Sequence, residues 1–333
     1  LCAVSRAKFK PVSIGDGGEI AMFGLPLAHI SWAIAENADR AACDAFFIDL
    51  FGAETAYEML VTPETAKYRF DREERLMVVG DTMLIPIAPA GPGAEPGNPL
   101  GDMLRRTAGV NRWIGLAFRV ADLKAADAWF RAAGFDLHYD RGMENNYFLI
   151  TKRQAMGMRI EVMQGELPGD PRLKPDWRPE TWRDGHPLGI EGLLSVDLAC
   201  EDFDAAQALF DRRLGWRALG VREIPGEALT GAAFVMGDAV LEAVSPPREG
   251  EAGICGITFK VKDAAAAWNH LKSRGFDLLG TAATRFAIRP EQAHGRLIWF
   301  TGQVPQGWPV PHSAIRQPAQ FPAVSDDTAA AAD

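Results

Sequence analysis

Two stretches of this chain repeat one pattern. Residues 121–137, ADLKAADAWFRAAGFDL, and residues 262–278, KDAAAAWNHLKSRGFDL, each open an alanine-rich run with an aspartate and end in Gly-Phe-Asp-Leu. An apolar, β-prone run precedes each aspartate, RWIGLAFRV in the first copy and ICGITFKV in the second. An aspartate that follows a strand is a typical helix N-cap, and a glycine after an apolar helical stripe is typical of a helix end. Each copy is therefore predicted to fold as strand, helix and further strands.

Two more copies of the pattern complete the chain. They are SVDLACEDFDAAQALFDRRLGWRAL (195–219) and HISWAIAENADRAACDAFFIDLFGAE (29–54). Each is followed by a predicted hairpin, and these hairpins, VMGDAVLEAVSP and VVGDTMLIPIAP, match in spacing. One βαβββ module cannot bury its sheet face alone, so we expect the four modules to form two pairs. The modules are predicted at 24–90, 111–165, 190–247 and 253–302.

Two stretches rich in proline and glycine separate these units, at 88–102 and 165–189, and the second is the better candidate for a domain boundary. The small, polar end of the chain is predicted to be partly disordered. The predicted organisation is an N-terminal extension (1–23), a first domain (24–165), a proline-rich linker (166–189), a second domain (190–302) and a proline-rich tail (303–333).

Charge and composition limit the expected partners. The net charge is −9 and no window clusters lysine and arginine, so nucleic acid is not expected as a partner. No apolar run reaches about 18 residues, so a membrane span is not expected. Four widely spaced cysteines without a CxxC pair indicate reduced, buried thiols and a cytoplasmic protein. We expect a small-molecule substrate as partner and a homodimer as the assembly.

The repeat of strand, aspartate, helix, glycine and three strands resembles the vicinal oxygen chelate superfamily, which includes glyoxalase I, bleomycin-resistance proteins and extradiol dioxygenases. The resemblance covers most of residues 24–302. It implies an α+β fold in which four βαβββ modules pair into two open, cup-shaped mixed β-barrels. It also implies metal ligands at two places in each module, a His or Gln on the first strand and a Glu on the last.

Those ligand positions are incompletely filled in this chain. The first-strand positions fall on His29, Gly115, Ser195 and Gly256, and the last-strand positions on Ile85, Glu161, Glu242 and Trp299. Extradiol cleavage needs two His and one carboxylate around iron, and neither half has them. The first pair offers His29 and Glu161, which are predicted to hold a divalent metal (Fe, Mn, Zn or Ni).

Glu161 and His138 are the predicted catalytic residues. His138 lies on the second strand of its module, where it would face the same cup and act as third ligand, general base or substrate donor. Simpler interpretations remain open at this stage. His29 would be hydrogen-bonded within the barrel, Glu161 would be paired with an arginine, and His138 would be a partly exposed strand residue.

The second pair offers a different set of inward positions. Ser195, Asp197 and Glu242 are predicted to face inward together with Gly256 and Trp299. An indole at a ligand position would fill the cup and block a metal. That half is therefore expected to be structural, or to bind a flat apolar ligand by stacking.

The predicted function is that of an enzyme of this superfamily. It would act on a small, apolar or aromatic, oxygenated metabolite through a metal or a carboxylate base in the first cup, as a lyase, isomerase or oxygenase. One alternative is a metal-free protein that binds and sequesters a small molecule, as the bleomycin-resistance proteins do. Another is a metal-independent enzyme in which Glu161, its pKa raised by burial, is the general base.

Overall fold

The structure is a computed structural model. It describes residues 27–33, 37–65, 67, 71–90, 97, 102, 111–140, 143–237, 239–246 and 253–309. The predicted N-terminal extension and most of the predicted tail lie outside the described residues.

Sixteen strands form two eight-stranded sheets in the described part of the chain. The first sheet has the order β2-β3-β4-β1-β5-β8-β7-β6, and the second has the same order eight strands later, β10-β11-β12-β9-β13-β16-β15-β14. The strands of the first sheet are β1 (Leu27–Ala33), β2 (Glu54–Met59), β3 (Arg72–Val79), β4 (Thr82–Pro89), β5 (Arg112–Val120), β6 (Leu137–His138), β7 (Tyr147–Ile150) and β8 (Arg159–Gln164). Those of the second are β9 (Ile190–Ala199), β10 (Ala218–Glu223), β11 (Thr230–Met236), β12 (Ala239–Ser245), β13 (Gly253–Val261), β14 (Leu278–Gly280), β15 (Phe286–Ile288) and β16 (Leu297–Thr301).

Each module forms a four-stranded half of a sheet. Its first strand pairs in parallel with its last, as β5 does with β8 and β9 with β12. The two halves of a sheet join where first strands meet in antiparallel pairs, β1 with β5 and β9 with β13. The sheets stay open at their outer strands, so each is a cup. The predicted α+β fold, with four modules in two open cups, is confirmed.

Aspartates begin three of the helices, as the repeat predicts. The side chains of Asp122, Asp202 and Asp263 accept hydrogen bonds from backbone N–H groups of the first turn. These contacts satisfy donors that a helix leaves unpaired at its start. The helices are α1 (Asn37–Phe51), α2 (Leu123–Ala132), α3 (Glu180–Gly185), α4 (Phe203–Gln207), which continues as a π-helical segment (Ala208–Arg213), and α5 (Ala264–Ser273).

The helix-covered faces of the two sheets share one apolar core. Phe51 of α1 stacks on Phe300 of β16 with a centroid separation of 5.9 Å, and Phe118 of β5 contacts Trp216 at 5.7 Å. Large apolar side chains dominate this core because burying them removes most of the apolar surface from water. The opposite face of each sheet is the interior of its cup, and this face carries polar side chains.

The segment between the two sheets packs against the first half of the chain. Arg172 donates to the backbone oxygens of Ala28 and Asp81 at 3.0 and 2.9 Å, and Trp182 donates to that of Gly52 at 3.2 Å. The predicted linker is thus hydrogen-bonded to the backbone of β1 and of the first module. Three described cysteines, Cys43, Cys200 and Cys255, are buried thiols. Within the described residues, no helix combines the length and hydropathy that crossing a membrane requires.

Candidate functional site

His29 and Glu161 lie on one face of the first sheet. His29 of β1 is opposite Ala117 of β5, and Ala117 is beside Glu161 of β8. Residues paired directly across strands project to the same face. Two strand spacings put the Cα atoms of His29 and Glu161 about 10 Å apart. Ala117 between them is fully buried and packs with Ala28 and Met163.

This row faces the cup. Ile160 and Val162, the chain neighbours of Glu161, belong to the shared apolar core, as does Ile30 next to His29. Side chains alternate between the faces of a strand, so Glu161 and His29 are on the other side. The structure therefore brings the two predicted ligands to one surface.

His29 is a neutral, buried imidazole. His29 is 6 % exposed, and its Nδ1 has no hydrogen-bond partner among the described residues. Burial lowers the pKa of His29 to about 3, and the charges of Arg159, Arg172 and Arg72 act in the same direction. The imidazole of His29 therefore stays uncharged at neutral pH, and its Nδ1 has no partner among the described residues.

Glu161 is a half-buried carboxyl group on the last strand of its module. Burial raises its pKa, while the charges of Arg159 and Arg72 oppose the rise and those of Glu74 and Asp140 add to it. It makes no ion pair within 4 Å to a described residue. The simpler interpretation, a Glu161 paired with an arginine, has no such pair among the described residues and stays an alternative. A raised pKa makes this carboxyl a stronger base than an exposed glutamate.

Close packing of two backbones positions Arg159 and Glu161. Gly115 of β5 is opposite Arg159 of β8. A Cβ at Gly115 would lie 1.9 Å from the backbone oxygen of Arg159, so only glycine allows this approach. Arg159 and Glu161 are two residues apart and share the cup face. Arg72, across the cup, is held by Glu74 at 3.2 Å.

His138 is at the rim of the same row. It is opposite Leu149, which is opposite Glu161, so it faces the cup from the edge strand β6. Its side chain is 61 % exposed and its Nε2 lies 3.4 Å from Oδ1 of Asp140. Tyr147 donates to the other oxygen of Asp140 at 2.6 Å. His138 is four strands from His29, and its catalytic role stays a prediction.

A divalent metal fits this donor set poorly. Among the described residues, no group of three or more His, Cys, Asp and Glu side chains is arranged to hold a metal ion. The guanidinium groups of Arg159, Arg172 and Arg72 act on His29 and would repel a cation there. The orphaned Nδ1 of His29 needs a partner, but a substrate hydroxyl or oxygen meets that need equally well. The predicted Fe, Mn, Zn or Ni site remains a prediction, which metal analysis would test.

The second cup contains buried ion pairs that the sequence did not predict. Asp197 of β9 and Glu242 of β12 are neighbours across parallel strands, and both are fully buried. Arg285 donates to Asp197 at 3.1 Å, and Nε of Arg222 lies 2.8 Å from Oε1 of Glu242. Burial and the adjacent Asp197 raise the pKa of Glu242 to about 7, against the effect of Arg222.

The aromatic groups of this cup are covered by those same arginines. The guanidinium of Arg285 lies 4.1 Å over the ring of Trp299, and that of Arg222 lies 4.6 Å over the ring of Trp308. Trp299 is buried, and its ring is covered by the guanidinium of Arg285. The signal for these partners was present in the sequence, since two inward carboxylates at 197 and 242 require counter-ions when buried.

The comparisons with known proteins agree with the fold. No protein-family model matches the sequence, and no curated protein matches it. Among solved structures, a mutant of 4-hydroxymandelate synthase from Streptomyces coelicolor superimposes with a TM-score of 0.59 at 14% identity, over 83% of this chain and 92% of that chain. The 2,3-dioxygenase LapB from Pseudomonas sp. KL28 gives 0.54 at 13% identity, over 90% and 98%. BphC, a halotolerant catechol dioxygenase, gives 0.53 at 12% identity, over 90% and 92%.

These structures confirm the predicted vicinal oxygen chelate fold. At such identities the likeness establishes the architecture, and the chemistry has to be argued from the residues of this chain.

Proposed function

We propose that the first cup is the active site of an enzyme that moves a proton on a small oxygenated organic substrate, with Glu161 as the base. The observation that supports this most is the Glu161 carboxyl itself, which has a raised pKa and no ion pair to a described residue. A base works best when its pKa lies near the working pH, and burial moves a glutamate in that direction.

His29 and Arg159 stabilise the negative charge that forms when the base removes a proton. When a C–H bond next to a carbonyl gives its proton to Glu161, the electron pair moves onto the carbonyl oxygen. A neutral imidazole donates a hydrogen bond to that oxygen from whichever nitrogen carries the proton. The charge of Arg159, which acts on both His29 and Glu161, stabilises the negative charge that forms.

Two reaction classes begin with this step. Return of the proton from Glu161 to another position or face of the substrate is an isomerisation. Loss of a leaving group from the neighbouring carbon is an elimination, the reaction of a lyase. Both leave Glu161 in its starting state once the proton has been returned to substrate or solvent, so neither requires a further reactant.

The test is proton exchange in deuterated water. Purified protein is incubated with a panel of carbonyl compounds (2-oxo acids, 3-oxo acids and aryl ketones), and loss of the carbon-bound proton signal is followed by NMR. Metal content is measured in parallel, and the assay is repeated after dialysis against a chelator. We expect exchange with at least one member of the panel, unchanged by the chelator and reduced about 100-fold or more in Glu161→Gln.

Two other results would replace the proposal. Exchange or oxygen uptake that disappears with the metal and returns on adding Fe, Mn, Zn or Ni would support the metal-dependent enzyme. Tight binding of a panel member with no exchange in either protein would support a sequestering protein of the bleomycin-resistance type.

A further inference from the structure

Arg159 brings a positive charge into the first cup and has no ion-pair partner among the described residues. It is on β8, two residues before Glu161 and on the same face. Its charge acts on both His29 and Glu161. It makes no hydrogen bond or ion pair with a described residue. A half-buried guanidinium in this condition has lost part of its hydration without gaining protein contacts, which favours a ligand that restores them.

The other two arginines that act on His29 are already engaged. Arg172 binds the carboxylate of Asp170 at 2.8 Å and donates to two backbone oxygens. Arg72 is paired with Glu74 at 3.2 Å. Both therefore contribute to the positive potential in the cup, while the donors of Arg159 are not used by any described residue.

In the second cup, the buried carboxylates are paired with arginines. There Asp197 is neutralised by Arg285 and Glu242 by Arg222, at 3.1 and 2.8 Å. In the first cup, Glu161 and Arg159 make no ion pair with a described residue, and Nδ1 of His29 has no hydrogen-bond partner among the described residues. A buried imidazole nitrogen without a partner among the described residues, next to a half-buried carboxyl and a half-buried guanidinium on the same face, is typical of a binding site.

We infer that the substrate of the first cup carries a carboxylate, and that Arg159 binds it while the reacting carbonyl lies against His29 and Glu161. This inference rests on the proposed function and names its substrate class. The planar fork of a guanidinium matches a carboxylate in two parallel hydrogen bonds. Two residues along a strand span about 7 Å, so the acid is compact, with carboxylate and carbonyl only a few bonds apart.

The charge of the cup favours a carboxylate over a phosphate. One uncommitted guanidinium neutralises one negative charge, and a second negative charge would lie close to Glu161 without a counter-ion. A monoanionic carboxylate therefore matches Arg159, whereas a dianionic phosphate monoester leaves an unpaired charge near a carboxyl group.

Binding of matched acids and amides tests the inference. Pyruvate is compared with pyruvamide, phenylacetate with phenylacetamide, and both acids with phenyl phosphate, by ligand-observed NMR and calorimetry. We expect the acids to bind the wild-type protein at least tenfold more tightly than the amides or the phosphate. Arg159→Gln is expected to lose tenfold or more in affinity for the acids, and Arg159→Lys to lose less.

The matched control is Arg153→Gln, which removes one positive charge from the exposed turn before β8. It is expected to bind the acids as the wild type does. Equal binding of acids and amides, equal affinities in Arg159→Gln and Arg153→Gln, or no binding of either acid would each overturn the inference. Thermal unfolding of the three free proteins identifies any variant that has failed to fold, and in that case Arg159→Lys decides.

The same assay separates this inference from the proposed function. Glu161→Gln retains Arg159 and is expected to bind the acids at least as tightly as wild type, since it removes a negative charge. If the acids bind through Arg159 but Glu161→Gln still catalyses exchange, the inference stands and the role of Glu161 is wrong. If Glu161→Gln abolishes exchange but Arg159→Gln binds the acids normally, the proposed function stands and the substrate class is wrong.

Discussion

Glu242 is paired with Arg222 at 2.8 Å, whereas Glu161, on the last strand of its own module, makes no ion pair with a described residue. The strand neighbour also differs, because Glu242 is beside Asp197 and Glu161 is beside Ala117. The same place in the repeat thus holds a carboxyl that is paired with an arginine in one cup and a carboxyl without an ion pair to a described residue in the other. This contrast is why we assign the chemistry to the first cup.

The protonation of His29 should be visible in the dependence of stability on pH. Its pKa falls from 6.5 to about 3 on folding, so below pH 6.5 the unfolded chain takes up a proton that the folded protein does not. Its contribution to stability is therefore present above pH 6.5 and is lost as the pH falls toward 3. The free energy of unfolding should fall by about 1.4 kcal/mol per pH unit from this group. Urea unfolding of wild type and His29→Gln between pH 4 and 7 measures it, and parallel curves would contradict the account.

Glu242 should have the opposite effect. Its pKa rises from 4.5 to about 7 on folding, because burial and Asp197 disfavour the charged form. The contribution of Glu242 to the free energy of unfolding is present below pH 4.5 and is lost as the pH rises through 7. In Glu242→Gln this loss is absent, so the variant should be less destabilised than wild type on going from pH 5 to pH 8. Thermal or urea unfolding at the two pH values measures the difference.

An ion-pair cluster fixes α1 to the first sheet. Arg40 of α1 pairs with Asp44 one turn later and with Glu73 of β3 at 3.4 Å, and all three side chains are buried. Arg40→Met leaves two buried carboxylates without this cation and should lower the free energy of unfolding by about 3 kcal/mol or more. Arg131→Met, which removes an exposed partner of Asp127, should cost under about 1 kcal/mol. Similar losses of unfolding free energy in both variants would show that the buried cluster stabilises the fold no more than an exposed ion pair does.

Gly115 should be required for both folding and activity. Gly115→Ala places a methyl group within 1.9 Å of the Arg159 backbone oxygen, so β5 and β8 must separate. We expect lower stability and, in the protein that remains folded, a loss of proton exchange because Arg159 and Glu161 move with β8. Ala117→Gly, on the same strand beside Glu161, adds no atoms and is expected to retain exchange. Unchanged activity in Gly115→Ala would contradict the strand geometry.

The sequence predicts the fold well because its signals are local. Asp122 and Asp263 follow apolar runs, and the structure shows both capping helices as that pattern requires. Glu161 alternates along its strand with the apolar residues Ile160 and Val162, so its side chain is predicted to face the cup. Four copies of one pattern also indicate which strands are first and last in each module, and these strands form the centre of both sheets.

The electrostatic contacts of the site were not predictable in the same way. Arg285 is 88 residues from Asp197 along the chain, and only the folded sheet brings them together. Whether an arginine is engaged, as Arg222 is, or available, as Arg159 is, depends on such distant partners. His138 shows a second limit of prediction from sequence. Strand alternation correctly predicts that its side chain faces the cup, but it does not predict that β6 is an edge strand, where the side chain is exposed.

The most direct test of the account is to make the same substitution in both cups. Glu161→Gln and Glu242→Gln each replace one carboxyl by an amide of nearly the same size, at equivalent places of the repeat. With the substrate found in the exchange assay, Glu161→Gln should lose carbon–hydrogen exchange by about 100-fold or more, and Glu242→Gln should stay within a fewfold of wild type. Equal rates in the two variants, or a larger loss in Glu242→Gln, would contradict the assignment of the base to the first cup.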